Sequence, residues 1–312
     1  MSPPGRPKGE YRSAQHEGTP VSLQPSQVFD RDRLLARSFP AEPRAWTAAQ
    51  AVRWACDFGA GLGGAMAVHD TRFLDPTQSH ALPMIAVPLC DGEFWQQQPD
   101  TGIAWRQIVH AEEVLTLHRP LPLAGQAVLT QAIVDIRDRG SDKGASMVQR
   151  MTLSEPGGAA YAEIDVTTVL RGNGGFGGPA PDGARPAPLP ERAPDRVIEL
   201  RSPAADDTSF CLSAELKVAG GLTLRPGQRM LRGVGCFGLA GRAVLALACG
   251  NQPQRLQRFG VRYGGPMLSD ETLRVELWQL TAGEAVFRMR AVERDAPVLS
   301  HGSLRTTDQP PT

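Results

Sequence analysis

The sequence predicts an α+β protein in which one structural unit is used twice. Residues 173–196, rich in glycine, proline and alanine, divide the 312-residue chain into halves of similar size. In each half an apolar helical pattern precedes several strand-like runs separated by turns. Such separate blocks of helix and antiparallel strand are typical of α+β folds. One physical solution wraps a curved sheet around a buried central helix, and two such units can join their sheets.

The first element of the first half, residues 28–172, is a helix within "AWTAAQAVRWACDFGAGLG". Thr47 and Gln50 have the spacing of a capping box, which predicts its start. Apolar or small residues then recur at helical spacing, at Val52, Ala55, Cys56 and Gly59. The polar segment before this half, residues 1–27, has no hydrophobic periodicity, and it predicts a disordered arm.

Runs rich in Val, Ile and Thr complete the first half and predict strands, with turns at Asp-Arg-Gly, Lys-Gly and Pro-Gly-Gly. Residues 173–196 contain too much glycine and proline for a lasting helix or sheet ladder, so they predict a linker. The second half, residues 197–307, contains "VGCFGLAGRAVLALACGN", which is apolar nearly all round and ends at Gly250. A helix of this kind is usually buried. Further strands follow, and residues 308–312 form a tail.

A weak internal repeat supports the two-unit plan. Aligning Pro122 with Pro266 places Leu129 on Leu273 and brings two strand runs into register. Repetition at this scale indicates that one supersecondary unit occurs twice.

The composition excludes several classes of protein. Lys plus Arg and Asp plus Glu both number 33, so the chain has no net charge to attract nucleic acid or an anionic membrane. The five cysteines form no CxxC pair, and buried free thiols in a reducing compartment fit them best. The sequence shows no metal-ligand spacing, no signal-peptide core and no membrane-length apolar run. We therefore expect a soluble, cytoplasmic protein without a bound metal.

Several segments together carry a resemblance to a known family. They are "DTGIAWRQIVHAEEVLTLHRPLPLAGQAVLTQAIVDIRDRGSDKGASMV", "VLRGNGGFGGPAP", "RGVGCFGLAGRAVL", "RFGVRYGGPMLSDETLRVELW" and "AVERDAPVLSHG". In order and spacing they resemble the hydratase-2 enzymes of the MaoC-like dehydratase family. The likeness runs from about Asp30 to about Thr306.

The resemblance implies a double hotdog fold, with an acyl-CoA tunnel between the two units. It implies reversible, R-specific addition of water to a trans-2-enoyl-CoA, with no cofactor, because CoA is part of the substrate. The first unit shapes the acyl pocket, and the second carries an L-S-G-D-x-N-P-L-H motif and an L-H-G turn. The Asp and His of that motif hold the water and move its protons, while a backbone N–H at the helix start stabilises the enolate-like oxygen.

This chain departs from the pattern in the second half. Leu212 and Ser213 match, but Ala214 stands for the Gly and Glu215 for the Asp, and no Asn-Pro or His follows. The L-H-G turn is replaced by Leu-Arg-Gly, residues 231–233. The six histidines all lie before Pro120 or after Ser300, so no local realignment restores the missing one.

Glu215 is the predicted catalytic residue, as a single general base whose pKa an apolar tunnel would raise. Its side chain is one methylene longer than that of Asp, and misplacement on this scale can cost ~10²-fold in rate. The alternative is a Glu at a strand end or helix start with no catalytic part.

Five further residues are predicted to bind the substrate. His110 and Ala111 stand where the family has a His-Gly pair that contacts the CoA ester, and Arg139 stands where it has a Lys suited to the CoA phosphates. Gly233 is the turn glycine whose N–H faces the thioester, and Tyr263 falls on an acyl-CoA-lining Phe. The alternatives are a packed loop histidine, a turn cation, an ordinary turn glycine and a core aromatic.

Three hypotheses about function remain open. The chain is an acyl-CoA hydratase with an altered site, a non-catalytic hotdog subunit, or an acyl-CoA thioesterase that uses Glu215. Because the motif is degraded, we expect weak or no hydratase activity from the isolated chain. The partners expected are an acyl-CoA thioester and either a second copy or another MaoC-like chain.

Overall fold

The structure is a computed structural model that describes residues 28–62, 71–178, 188–212 and 222–307. Several of the predictions lie outside these residues: the arm at 1–27, the tail at 308–312, part of the linker, and Ser213, Ala214 and Glu215.

Strands dominate the described part of the chain. They are β1 (Glu42–Trp46), β2 (Ile108–Leu117), β3 (Gly125–Asp138), β4 (Ala145–Ser154), β5 (Ala160–Leu170), β6 (Arg196–Arg201), β7 (Leu256–Tyr263), β8 (Thr272–Thr281), β9 (Glu284–Ala291) and β10 (Ala296–Thr306). The α-helices are α1 (Arg31–Leu35), α2 (Ala48–Asp57), α3 (Ala86–Leu89) and α4 (Gly233–Cys249). Short 3-10 helices occupy Thr71–Leu74, Pro83–Ile85, Trp95–Gln97, Pro99–Thr101, Trp105–Gln107 and Pro253–Arg255.

A single ten-stranded sheet joins the two halves of the chain. Its order is β1-β3-β4-β5-β2-β7-β10-β9-β8-β6, with every neighbouring pair antiparallel. The second unit repeats the strand order of the first in the reverse direction across the sheet, so that β6 corresponds to β1 and β7 to β2. The β2–β7 pair is the seam between them. This is the predicted α+β double hotdog, although the predicted domain boundaries themselves stay predictions.

The internal repeat seen in the sequence is confirmed by this topology. Leu129 lies in β3 and Leu273 in β8, which hold the same place in their units. Both side chains are fully buried. Leu129 pairs with Leu153 of β4, and Leu273 pairs with Ala291 of β9, so the equivalence extends to the neighbouring strands.

Helix α4 is the buried central helix predicted for the second half. Its residues from Gly235 to Leu245 are all buried, and Gly250 ends it in the left-handed conformation with φ of 60°. Its small residues allow a close approach to the first half. A Cβ on Gly238 would lie 2.0 Å from Cδ1 of Phe58, and one on Gly241 would lie 2.4 Å from Cε of Met84. The described helices are all too short or too polar to cross a membrane.

Helix α2 confirms the predicted capping box but corrects the predicted buried face. The Thr47 hydroxyl accepts from the Gln50 N–H, and the Gln50 side chain accepts from the Thr47 N–H. The buried stripe is Ala51 and Ala55, whereas Cys56 is exposed. Gly59, with φ of 84°, lies beyond the helix end. Ala51 and Ala55 have the same i, i+4 spacing as Val52 and Cys56, so periodicity alone does not decide which pair faces the core.

The cysteines follow the prediction in part. All five are free, and Cys90, Cys236 and Cys249 are buried. Cys56 is exposed and Cys211 is half-buried, so burial was wrongly predicted for these two.

Replacing Thr47 by Ala is expected to lower the free energy of unfolding by about 1 kcal/mol, the usual contribution of an N-cap side chain. The reason is that the Gln50 N–H loses its acceptor. Chemical denaturation with circular dichroism measures the change, and Thr47→Ser should recover most of it because the hydroxyl returns. A Thr47→Ala protein as stable as the parent would contradict the role of the cap.

The glycine-rich run after β5 packs on the turn between β3 and β4. The carboxylate of Asp138 accepts hydrogen bonds from the N–H groups of Gly140, Gly175 and Gly177, at 2.9, 2.9 and 2.6 Å. These bonds lower the pKa of Asp138. A Cβ on Gly174 would lie 2.4 Å from the Gly140 carbonyl oxygen, so only glycine permits this approach. The start of the predicted linker is therefore docked against the first unit.

Candidate functional site

Strand β2 contains a bulge that changes the direction of its first side chains. The pairing of β2 with β5 is regular from Glu112 onward but shifts between His110 and Glu112, which leaves Ala111 as the extra residue. In a regular strand, residues 110 and 113 would point to opposite faces of the sheet. Since a bulge shifts this alternation by one residue, both can face the same side. Ala111 is the bulged residue, and its contact with the substrate remains a prediction.

His110 and Glu113 meet Tyr263 across the seam between the two units. Nε2 of His110 lies 3.6 Å from Oε2 of Glu113. The Tyr263 hydroxyl donates to the same Oε2 at 2.8 Å, and its ring centroid is 4.8 Å from that of His110. The Glu113 side chain is 2% exposed, whereas that of His110 is 38% exposed. The carboxyl group is therefore inside, with the imidazole between it and the surface.

This cluster stands directly over the first residue of α4. The Tyr263 hydroxyl also lies 3.1 Å from the Gly233 carbonyl oxygen. A Cβ on Gly233 would lie 3.2 Å from Nδ1 of His110 and 3.2 Å from the Tyr263 hydroxyl. The N-cap residue, Arg232, makes no side-chain capping bond. The first N–H groups of a helix have no partner within the helix, and they carry a partial positive charge that favours developing anions.

Burial shifts the pKa values of Glu113 and Tyr263. Burial raises the pKa of Glu113, and the nearby His110 and the Tyr263 hydroxyl only partly oppose that rise. Burial, together with Glu113, raises the pKa of Tyr263 well above 10, so its hydroxyl stays protonated and remains a donor. Burial raises the pKa of two thiols, Cys236 of α4 and Cys90. The nearby Glu113 raises these pKa values further. A carboxyl group with a raised pKa holds its proton more readily than an ordinary one and can take part in general acid–base chemistry.

The structure brings together three of the predicted site residues: His110, Gly233 and Tyr263. Arg139 lies apart from them, exposed on the turn after β3. Asp138 pairs with Ala145, which pairs with Leu170, which pairs with Ile108, so this turn is at the same end of the sheet as His110. Arg139 follows β3, which is three strand spacings from β2 in the sheet. At about 4.8 Å per spacing, the two strands are roughly 10–15 Å apart.

Glu215 lies outside the described residues, but the chain on either side of it is described. The Leu212 N–H donates to the Met230 carbonyl at 2.8 Å, and the Arg232 N–H donates to the Phe210 carbonyl at 2.7 Å. Leu212, the last described residue before Glu215, is therefore paired with the segment that leads into α4.

Glu113 was missed at the level of the sequence, although a signal for it exists. In "HAEEVLTL" it shares the alternation of Leu115 and Leu117, and all three are buried. A carboxyl group in an inward-facing apolar row is unusual and indicates either pairing or function. The described residues contain no group of His, Cys, Asp and Glu able to hold a metal ion.

Known proteins agree with this fold. A scan against models of protein families finds no match. The 3-hydroxyacyl-thioester dehydratase Y of Mycobacterium tuberculosis is 31% identical over 263 residues, which are 80% of this chain and 88% of that protein. The peroxisomal multifunctional enzyme type 2 of Drosophila melanogaster is 29% identical over 211 residues, which are 65% of this chain and 35% of that longer enzyme.

Among solved structures, a MaoC-like dehydratase from Phytophthora capsici superposes with a TM-score of 0.73. The match covers 89% of this chain and 99% of that one, at 22% identity, and it establishes the fold. The 31% identity to the mycobacterial dehydratase over four fifths of the chain shows that this chain belongs to the MaoC-like dehydratase family of the hydratase-2 type.

Proposed function

We propose that the chain binds acyl-CoA thioesters and catalyses the reversible hydration of a trans-2-enoyl-CoA to a 3-hydroxyacyl-CoA. The observation that carries this proposal is the convergence of His110, Tyr263 and Gly233 at the start of α4. The dehydratase activity in the name of the mycobacterial relative supports the same reaction class.

The geometry supplies the electrostatic part of this chemistry. When water adds to C3 of an enoyl thioester, negative charge moves onto the thioester oxygen. An oxygen placed against the first N–H groups of α4 would be stabilised by their partial positive charge. The exposed His110 side chain would then flank the reacting carbons. Arg139, further along the same end of the sheet, is proposed to bind the distant phosphates of CoA.

Glu215 remains a proposed catalytic residue. Its support is the position of Leu212, the last described residue before it, which pairs with the segment that leads into α4. The variant Glu215→Gln keeps the size of the side chain and removes its charge. Turnover unchanged by this substitution would remove Glu215 from the mechanism.

A direct assay separates the three functions considered for this chain. Purified protein is mixed with a trans-2-enoyl-CoA, and loss of the conjugated thioester absorbance is followed, while calorimetry measures binding of a saturated acyl-CoA. We expect both binding and turnover, in place of the weak or absent activity that the degraded motif predicts, because His110, Tyr263 and Gly233 converge without that motif. Binding without turnover would instead support a non-catalytic subunit, and release of free thiol would support a thioesterase. A protein that neither binds nor turns over would contradict the proposed function.

Gly233→Ala is expected to weaken acyl-CoA binding and turnover by about tenfold. The added Cβ would lie 3.2 Å from both His110 Nδ1 and the Tyr263 hydroxyl, so both groups must shift by a few tenths of an ångström. Displacements of a fraction of an ångström at a reacting centre have effects of this order. The matched control is Gly92→Ala, whose Cβ would meet nothing closer than 3.8 Å. Equal affinity of the two variants would place the thioester elsewhere.

The assembly and location of the protein also remain proposals. We propose a homodimer, with a heteromer containing another MaoC-like chain as the alternative outcome of sedimentation and pull-down measurements. The five free cysteines fit a reducing compartment and support a cytoplasmic location.

A further inference from the structure

We propose that Glu113, on the first unit, is the acid–base group of the hydration reaction and that His110 is its proton partner. This inference rests on the proposed function, which it deepens by assigning the proton transfers. It places them on β2, at the seam of the two units, rather than on the second-half motif whose Asp and His are missing.

The first argument is the way in which Glu113 is held. A second buried carboxylate in the same protein, Glu271, shows what a structural one looks like. Both its oxygens bind the guanidinium of Arg294, and Oε2 also accepts the Leu268 N–H at 3.1 Å. The described contacts of Glu113 include no guanidinium. They are the hydroxyl of Tyr263 and the imidazole of His110, 3.6 Å away. Burial without a fixed cation costs stability, and such costs are typical of functional sites.

The second argument is the position of the carboxyl group. The Tyr263 hydroxyl lies within hydrogen-bonding distance of both the Glu113 carboxylate and the Gly233 carbonyl. Glu113 is thus one hydroxyl group away from the helix start at which the thioester oxygen is proposed to bind. The His110 side chain is exposed, so it links the buried carboxyl group to the surface.

The proton balance closes with these two groups. The Glu113 carboxylate takes a proton from water as the water oxygen bonds to C3. The electron pair of the C2=C3 bond moves toward the thioester oxygen, which forms an enolate. Protonated His110 then gives a proton to C2, and the proton on Glu113 passes to His110, whose Nε2 is 3.6 Å away. One water is added, and both residues return to their starting states.

A pair of adjacent, isosteric variants tests the assignment. Glu113→Gln is expected to lower kcat by about 10²–10⁴-fold, the usual contribution of a general acid–base. Binding of a saturated acyl-CoA should change less than threefold. The control is Glu112→Gln, since Glu112 binds Arg262 on the other side of the strand, with Arg262 Nε 2.8 Å from its Oε1. It should keep wild-type kcat within about threefold. A Glu113→Gln enzyme within tenfold of wild type overturns the proposal.

A second variant tests the proposal through pH. The Tyr263 hydroxyl stabilises the ionised form of Glu113, so Tyr263→Phe should move the rising limb of the kcat profile to higher pH. The other titratable groups facing Glu113 are His110 on its own strand, Cys236 on α4 and Cys90, and both thiols have a raised pKa. A limb that does not move overturns the assignment.

The outcomes also separate this inference from the proposed function. If wild-type protein binds acyl-CoA but shows no hydration, the role of Glu113 is overturned while the ligand class stands. If it neither binds nor hydrates, both fail. If hydration is lost in Glu215→Gln but unchanged in Glu113→Gln, the reaction stands and the base lies on the second unit.

Discussion

Gly238→Ala is expected to lower the free energy of unfolding by about 3 kcal/mol, the upper part of the range for overpacking a core. A Cβ at this position would lie 2.0, 2.2 and 2.4 Å from three atoms of the Phe58 ring, and the ring is rigid and fully buried. It cannot turn aside easily, because it stacks on Phe210 with centroids 4.9 Å apart. The strain falls on the contact between α4 and the first unit.

Denaturant unfolding measures this loss, and a double-mutant cycle assigns it. Phe58→Ala alone should destabilise by about 3–5 kcal/mol through the cavity it leaves. The double variant should cost clearly less than the sum, because the new methyl group occupies space that the ring has left. Additive costs, or a loss below about 1 kcal/mol for Gly238→Ala alone, would show that the ring moves freely.

Much of the fold was predictable because the relevant signals are local. Thr47 and Gln50 mark the start of α2, and Gly250 marks the end of α4. The equivalence of Leu129 and Leu273 showed that one unit is repeated. The buried face of α2 was misplaced because two neighbouring faces of this short helix, Ala51 with Ala55 and Val52 with Cys56, both satisfy helical spacing.

The site was predictable only in part because its geometry depends on two non-local features. Glu113 and Tyr263 are 150 residues apart, and only the pairing of β2 with β7 brings them together. The bulge at Ala111 cannot be read from alternation, which by itself separates His110 from Glu113. The family pattern predicts a catalytic residue in the second unit, at Glu215. The groups that meet at the start of α4 instead come from both units.

Glu113→Gln is expected to stabilise the protein above the pKa of Glu113 while it removes activity. Burial raises this pKa from its ordinary value of 4.5, so over the pH range between the two values the folded state holds more protons than the unfolded state. Wild-type stability therefore falls as pH rises through that range, by about 1.4 kcal/mol per pH unit within it. A glutamine carries no charge at any pH, and its oxygen can still accept from Tyr263.

The difference in stability between wild type and Glu113→Gln should consequently be small near pH 4 and grow as the pH rises from there to the raised pKa of Glu113. Unfolding curves across this range, run beside Glu112→Gln, provide the measurement. The exposed pair that Glu112 forms with Arg262 is worth less than about 1 kcal/mol, so its loss should change stability little. A Glu113 kept only for structure would give the opposite sign, because its replacement would then destabilise the fold. A variant that is more stable yet inactive shows that the buried charge is retained at a cost to stability, as expected of a catalytic group.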